Sequence, residues 1–174
     1  SVVHEERAAT ARSVRFLIEQ GRRRIAYVGR IKGSAVGTER FRGYRAALLE
    51  AGLPFDEALV WDNAFRYAAG YDAVSRALEG GLEFDALQAG SDEMAMGAIA
   101  ALTDRGVVVP RDVAVVGFGD VEMGRYLRPS LTTLSNNPAA AALTVREFFE
   151  PVNGRRPRRN LVLLERALVR RASA

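Results

Sequence analysis

Short apolar runs alternate with longer amphipathic stretches along most of the chain. The runs are rich in Val, Ile and Ala, which is typical of buried strands, and the stretches group their apolar residues on one side and end at Gly, which is typical of helices. This pattern predicts strands at residues 24–29, 59–61, 85–90, 112–118 and 131–135 and a final extended segment at 160–170. It predicts helices at residues 5–20, 38–51, 66–79, 93–105 and 138–152.

Strands that alternate with helices of this length indicate right-handed βαβ crossovers and a parallel sheet covered on both faces. Ligands bind such sheets at the carboxyl ends of the strands, where the loops after the first four predicted strands gather. We expect Thr38 to cap the second helix and Ser91 or Asp92 to cap the fourth. The sequence therefore predicts an α/β fold and the edge of the sheet that holds a site.

The composition excludes several classes of protein. The 174 residues suit one domain, and with no Cys and a single His, His4, we expect no disulfide framework, thiol nucleophile or metal cluster. No apolar run approaches the roughly 18 residues of a membrane span, and the first residues do not resemble a signal peptide. We expect a cytoplasmic protein with no metal, no other cofactor and no membrane partner.

The formal net charge of +4 is unevenly distributed along the chain. Residues 151–174 hold seven Arg and one acidic residue, so they carry +6, while the first 150 residues carry −2. Arg supplies 24 of the 25 basic residues. We therefore attribute the high isoelectric point to a C-terminal tail and not to a DNA-reading face.

Two glycine-rich turns follow predicted strands without completing a nucleotide-binding motif. GRIKGSAVG at residues 29–37 lacks the GK[ST] ending of a P-loop, and GFGDVEMG at 117–124 misses the GxGxxG spacing. Since glycine-rich βα turns are usually only tight turns, the sequence disfavours nucleotide binding.

Several side chains near the predicted edge have two interpretations each. Arg40 is either a solvated residue or a clamp for hydroxyl groups or a carboxylate, and Phe65 is either a helix staple or a platform for a sugar or base ring. Asp120 and Glu122 are either carboxylates on a solvated loop or acid-base groups of an enzyme. Taken singly, the ordinary interpretation is favoured for each residue.

A longer combination of motifs is more specific. In chain order it includes GRRRIAYVG, ERFRGYRAAL, GSDEMAMGAIAAL and RGVVVPRDVAVVGFGDVEMGRYLRPSLTTL. This combination resembles the effector-binding domain of the LacI/GalR (lactose/purine repressor) family of bacterial transcription regulators. The resemblance implies a three-layer αβα parallel-sheet subdomain of the periplasmic-binding-protein-like type I fold.

The resemblance covers nearly all of the chain and implies its organisation. Residues 1–136 correspond to the C-terminal subdomain of the effector-binding core, and residues 137–174 to a crossover helix followed by a returning C-terminal strand. The helix-turn-helix that binds operator DNA, the hinge and most of the N-terminal subdomain are not expected in this sequence. The apolar helix at 138–152 is expected to be buried in a dimer or against a partner chain.

The resemblance also implies which residues line the cleft between the two subdomains. Arg40 matches the family's effector clamp, and Phe65 matches its aromatic stacking residue. The further cleft positions that it assigns are Ser91, Asn136 and Val36. The family usually has an Asp where this chain has Gly119, so that acceptor for effector hydroxyl or amine groups is missing, and Asp120 stands one residue along.

The function implied is that of a non-catalytic sensor. A sugar-like or nucleoside-like small molecule would bind the cleft of a homodimeric regulator and control its operator binding allosterically. The resemblance assigns the dimer interface to Met96, Arg125, Tyr126 and Leu127. Two alternatives stay open, namely a periplasmic or secreted sugar-binding protein of the same fold and a small hydrolase that uses Asp92 or Asp120.

Overall fold

The computed structural model describes residues 2–136, 142 and 162–174. Within them, the four helices are α1 Glu6–Glu19, α2 Ala35–Glu50, α3 Tyr67–Glu79 and α4 Asp92–Asp104. The strands are β1 Val2–His4, β2 Ile25–Gly29, β3 Val60–Asp62, β4 Ala86–Ala89, β5 Ala114–Gly119, β6 Thr132–Ser135, β7 Val162–Leu164 and β8 Ala167–Val169. The helix predicted at 138–152, and the partner contact expected of it, lie outside the described residues except for residue 142.

Six of these strands form one sheet in the order β3-β2-β4-β5-β6-β8. The first five are parallel to their neighbours, and β8 pairs antiparallel with β6 at one edge. Strands β1 and β7 form a separate parallel pair. The predicted α/β fold with a parallel sheet is therefore confirmed, with one antiparallel edge strand that the periodicity did not distinguish.

Helices cover both faces of the large sheet. Successive strand residues point to opposite sides, and because the central strands are largely apolar, both faces are apolar and need to be covered. On one face, α1 and α2 pack against Ile25, Tyr27, Ala86, Ala114 and Val116. On the other face, α3 and α4 pack against Ala26, Val28, Leu87, Ala89 and Val115. These two cores confirm the expected three-layer αβα arrangement.

The C-terminal residues are built into the sheet. The Ser173 hydroxyl donates to the Val115 carbonyl at 2.6 Å and accepts the Thr132 amide hydrogen at 2.9 Å, so it bridges β5 and β6. The Ser173 amide in turn donates to the Ser130 carbonyl. Because Ser173 is fully buried, these bonds fix the last residues against the core.

The prediction that Thr38 caps α2 is wrong, since Ser34 is the cap. The Ser34 hydroxyl accepts the Gly37 amide hydrogen at 3.0 Å, while the Thr38 hydroxyl donates to backbone carbonyls. Gly37 suggested a loop, but it lies inside the first turn of α2, where glycine is required because a Cβ would come within 1.6 Å of the Arg30 carbonyl oxygen. Arg40 consequently stands in the second turn of α2 and not in its first.

Candidate ligand-binding site

The candidate site lies at the edge where the parallel strands end. Strands β2, β4 and β5 finish there, and helices α1, α2 and α4 begin there, as the topology of βα units requires. Because β8 runs in the opposite direction, it begins at this edge, and Arg166, which directly precedes it, is placed beside the strand ends. This arrangement brings Arg166 to the edge where α1 begins with Glu6.

Arg40 occupies the centre of the edge. Its Nε donates to Glu6 Oε2 at 2.7 Å, and its Nη1 donates to the Gly90 carbonyl oxygen at 2.5 Å. The guanidinium carbon lies 3.7 Å from the ring centroid of Phe118 and 5.8 Å from that of Phe65. The structure therefore brings together Arg40 and Phe65, both predicted from the sequence, and adds Glu6 and Phe118, which were not.

Arg166 is a second guanidinium at the same place. Its Nη2 donates to Glu6 Oε1 at 2.5 Å, its Nη1 donates to Asn136 Oδ1, and its guanidinium carbon lies 4.6 Å from the Phe118 ring centroid. Only 4% of its side chain is exposed. Burial lowers the pKa of Arg166, and the Glu6 carboxylate opposes that shift. Two arginines thus share one carboxylate over one aromatic ring.

Asp92 is buried at the start of α4, where it contacts β5 and β6 and does not cap the helix. Its Oδ1 accepts the Thr133 hydroxyl at 2.5 Å, and its Oδ2 accepts the Val121 amide hydrogen at 2.7 Å. Desolvation raises the pKa of the fully buried Asp92 carboxyl even though both hydrogen bonds favour the charged form. Ser91 is the cap, because its hydroxyl accepts the Met94 amide hydrogen at 3.3 Å.

Glycines leave the space that Asp92 needs. A Cβ at Gly117 would lie 2.2 Å from Asp92 Oδ1, so no other residue fits there without a shift. Gly119 has a φ of 140°, in a region that L residues rarely adopt, and a Cβ there would lie 3.4 Å from Asp92 Oδ2. A side chain at Gly119 would therefore be strained by the backbone and would stand close to a buried carboxyl group.

Asp120 is ion-paired and not solvated, which corrects its ordinary interpretation. Its Oδ1 accepts from Arg171 Nη2 at 2.5 Å, and its Oδ2 lies 3.7 Å from Arg125 Nη2. The Asp120 backbone is left-handed, with φ of 58°. The carboxylate therefore faces partners other than Arg40 and Arg166, and its predicted contact with an effector stays a prediction.

The remaining predicted cleft residues lie around this cluster. Val36 and Glu6 both line an open groove of about 660 Å³ between α1 and α2. The Ser91 hydroxyl is occupied by its capping bond, and the Asn136 side-chain oxygen accepts from Arg166. Their contact with a ligand stays a prediction.

The residues predicted to form a dimer interface divide into two kinds. Met96 is only 8% exposed and packs in the larger core, so little of it is available to a partner. Tyr126 is 70% exposed, next to the exposed Arg125 and the half-buried Leu127. This surface is suitable for an interface, which stays a prediction.

The basic C-terminal segment is more than a charged tail. Arg166 is nearly buried in an ion pair with Glu6, and Arg171 is nearly buried in an ion pair with Asp120. The guanidinium carbon of Arg170 lies 4.8 Å from the Phe16 ring centroid. Periodicity gave no signal for these contacts, because each joins residues far apart in the sequence.

The described residues contain neither a metal-binding cluster nor a helix that could span a membrane. In that part of the chain, no three His, Asp or Glu side chains come together as a metal site requires. A helix suited to crossing a membrane is likewise not found there.

Comparison with known proteins places this geometry in a family. The periplasmic binding protein-like domain matches residues 14–174. The transcriptional regulator AscG of Escherichia coli is 34% identical over 155 residues, which are 89% of this chain and 44% of AscG. The chain spans less than half the length of the curated relatives that it matches.

Solved structures agree with this placement. A LacI-family regulatory protein from Chloroflexus aggregans superposes with a TM-score of 0.91 at 32% identity. The match covers 99% of this chain and 62% of the Chloroflexus protein. A sugar-binding LacI-family regulator from Escherichia coli, complexed with phosphate, has a TM-score of 0.91 at 31% identity, with 100% of this chain and 63% of that chain covered.

Proposed function

This chain belongs to the periplasmic-binding-protein-like domain family as it occurs in LacI-family transcription regulators, and on that premise we propose that it is the effector-sensing part of such a regulator. A small molecule, sugar-like or nucleoside-like, binds at the edge that carries Arg40. Binding there changes the affinity of the whole protein for operator DNA. The DNA contacts belong to a helix-turn-helix outside this chain, and the protein acts as a homodimer in the cytoplasm.

The observation that carries this proposal is the position of Arg40. It stands at the ends of the central strands with the Phe118 ring against its guanidinium group and Phe65 close by. A guanidinium group can donate hydrogen bonds to the hydroxyl groups of a small ring compound, and neighbouring aromatic rings can pack against the face of that compound. The sheet edge is also where α/β folds bind their ligands.

The allosteric step follows from this placement. The described residues supply one wall of the cleft, and an N-terminal subdomain outside this chain supplies the other. An effector that contacts both walls favours one relative orientation of the subdomains. It shifts DNA binding only as far as its affinities for the two orientations differ.

Catalysis is not part of this proposal. Both oxygens of the Asp92 carboxyl group accept hydrogen bonds within the fold, and Asp120 is neutralised by Arg171. Neither group is placed to exchange a proton with a ligand beside Arg40. The similar proteins of known role are regulators, which agrees with a sensing function.

The test uses the full-length protein and operator DNA. Ligands found by thermal shift among sugars and nucleosides should change the affinity for DNA, and Arg40→Ala should remove that response while DNA binding without ligand stays. The matched control is Arg42→Ala, since Arg42 is exposed on the same helix and pairs only with Glu39 in the described structure. An unchanged response in Arg40→Ala contradicts the proposal, and ligand binding without any DNA binding points to a sugar-binding protein.

A further inference from the structure

We infer that the ligand of this site carries an oxyanion, either a carboxylate or a phosphate, which Arg166 binds together with Arg40 in place of the Glu6 carboxylate. The inference rests on the proposed function, because it names the chemical class of the effector. In this inference, Arg166 from the C-terminal segment is a ligand-binding residue. The Glu6 carboxylate occupies the two arginines when no ligand is bound.

The charge balance at the site is the first argument. Arg40 and Arg166 contribute two positive charges, and Glu6 is the only acidic residue among the described ones that contacts either of them. Asp62 accepts the amide hydrogens of Ile31 and Lys32, and Asp120 is paired with Arg171, so neither contacts Arg40 or Arg166 in the described structure. Among the described residues, this nearly buried pair of guanidinium groups contacts a single carboxylate, so a bound anion would compensate the second positive charge.

Buried donors without acceptors are the second argument. Arg166 Nε and the Tyr27 hydroxyl are both buried, and neither has a hydrogen-bond partner among the residues that the structure describes. Tyr27 is fully buried in the core between the sheet and helices α1 and α2, so it lies on the face of the sheet covered by the two helices that carry Glu6 and Arg40. Buried donors in native proteins almost always have a partner, and a tetrahedral or planar oxyanion supplies several acceptor oxygens.

The geometry of Glu6 shows how an anion is held. One carboxylate oxygen of Glu6 accepts from Arg40 at 2.7 Å and the other accepts from Arg166 at 2.5 Å. Phe118 holds both guanidinium groups in place from one side. Since Glu6 lies in the first turn of α1 and not in the sheet, its side chain can withdraw without disturbing a strand. A neutral hydroxyl ligand would leave the excess charge uncompensated and would not exchange with Glu6.

Titration of the isotope-labelled full-length protein with inorganic phosphate and, separately, with acetate tests this inference. We expect saturable shifts of the Arg40 and Arg166 Nε–H resonances. Glu6→Gln should tighten anion binding about tenfold or more, because the internal competitor becomes neutral. Arg166→Gln should abolish binding, whereas Arg170→Gln, which changes a neighbouring arginine beside Phe16, should leave it unchanged.

The outcomes separate this inference from the function on which it rests. Saturation by phosphate alone identifies a phosphorylated ligand, and saturation by acetate identifies a carboxylate. If neither anion shifts these resonances, even in Glu6→Gln, the inference is overturned, and this readout does not depend on whether Arg166→Gln folds. A neutral sugar that changes operator binding equally in wild type and Arg166→Gln overturns the inference but supports the proposed function.

Discussion

Arg171 donates to the Asp120 carboxylate at 2.5 Å across a separation of 51 residues, and both side chains are nearly buried. A second Nη of Arg171 donates to the Leu131 carbonyl at 2.8 Å. The pair therefore joins the loop after β5 to the C-terminal segment beside β6. It fixes the left-handed turn at Asp120 as well as the end of the chain.

Asp120→Asn should lower the free energy of unfolding by about 2 kcal/mol, because it leaves the nearly buried Arg171 without a counter-charge. Asn tolerates the left-handed backbone of this position, so the loss reports the charge and not strain. Glu50→Gln, which breaks the exposed pair with Arg15, should cost under about 1 kcal/mol. Urea unfolding measures both, and equal effects would contradict a structural role for the pair.

Asp92→Asn should make the protein less sensitive to pH. Burial raises the pKa of Asp92, so the folded state holds its proton more tightly than the unfolded state does. The stabilisation from this group is present below the ordinary Asp pKa of about 4 and is lost as the pH rises through the raised value. The wild type should therefore lose stability relative to Asp92→Asn across that interval. A difference that is constant with pH would show that burial does not shift this group.

Ser34→Ala should destabilise α2 by about 1 kcal/mol, since it removes the acceptor for the Gly37 amide. Ser34→Gly should cost only a few tenths of a kcal/mol, as is usual for a glycine cap. Urea midpoints of the two variants test which residue begins the helix. Equal stability of Ser34→Ala and wild type would count against Ser34 as the cap.

Tyr126→Arg in the full-length protein should weaken self-association, because it replaces an exposed aromatic ring with a further positive charge beside Arg125 on the surface assigned to the dimer. A central aromatic contact is commonly worth about 2 kcal/mol, which corresponds to roughly a thirtyfold rise in the dimer dissociation constant. Leu49→Arg is the control, since Leu49 is 79% exposed on α2. Sedimentation velocity measures both variants. An unchanged dimer in Tyr126→Arg would place the interface elsewhere.

The spacing of apolar residues along the chain was sufficient to predict the strand and helix layers of this fold, but it was not sufficient to predict the residues of the site. The strands β2, β4 and β5 are apolar and bounded by Gly, so their positions and their shared edge could be predicted from local sequence. Arg166 could not, because its role depends on β8 running antiparallel and delivering it beside Phe118. Local rules also misassigned Gly37, because a glycine that is required by its close contact with the Arg30 carbonyl cannot be told from a loop glycine by sequence alone.

The antiparallel insertion of β8 has a consequence for synthesis on the ribosome. Residues 164–174 emerge after residues 2–136, so until they arrive β6 is an open strand edge and Glu6 has only one of its two arginine partners. A chain interrupted before Arg166 keeps five of the six strands of the large sheet but lacks the second arginine of the proposed anion site, so it should bind the anion no better than Arg166→Gln does.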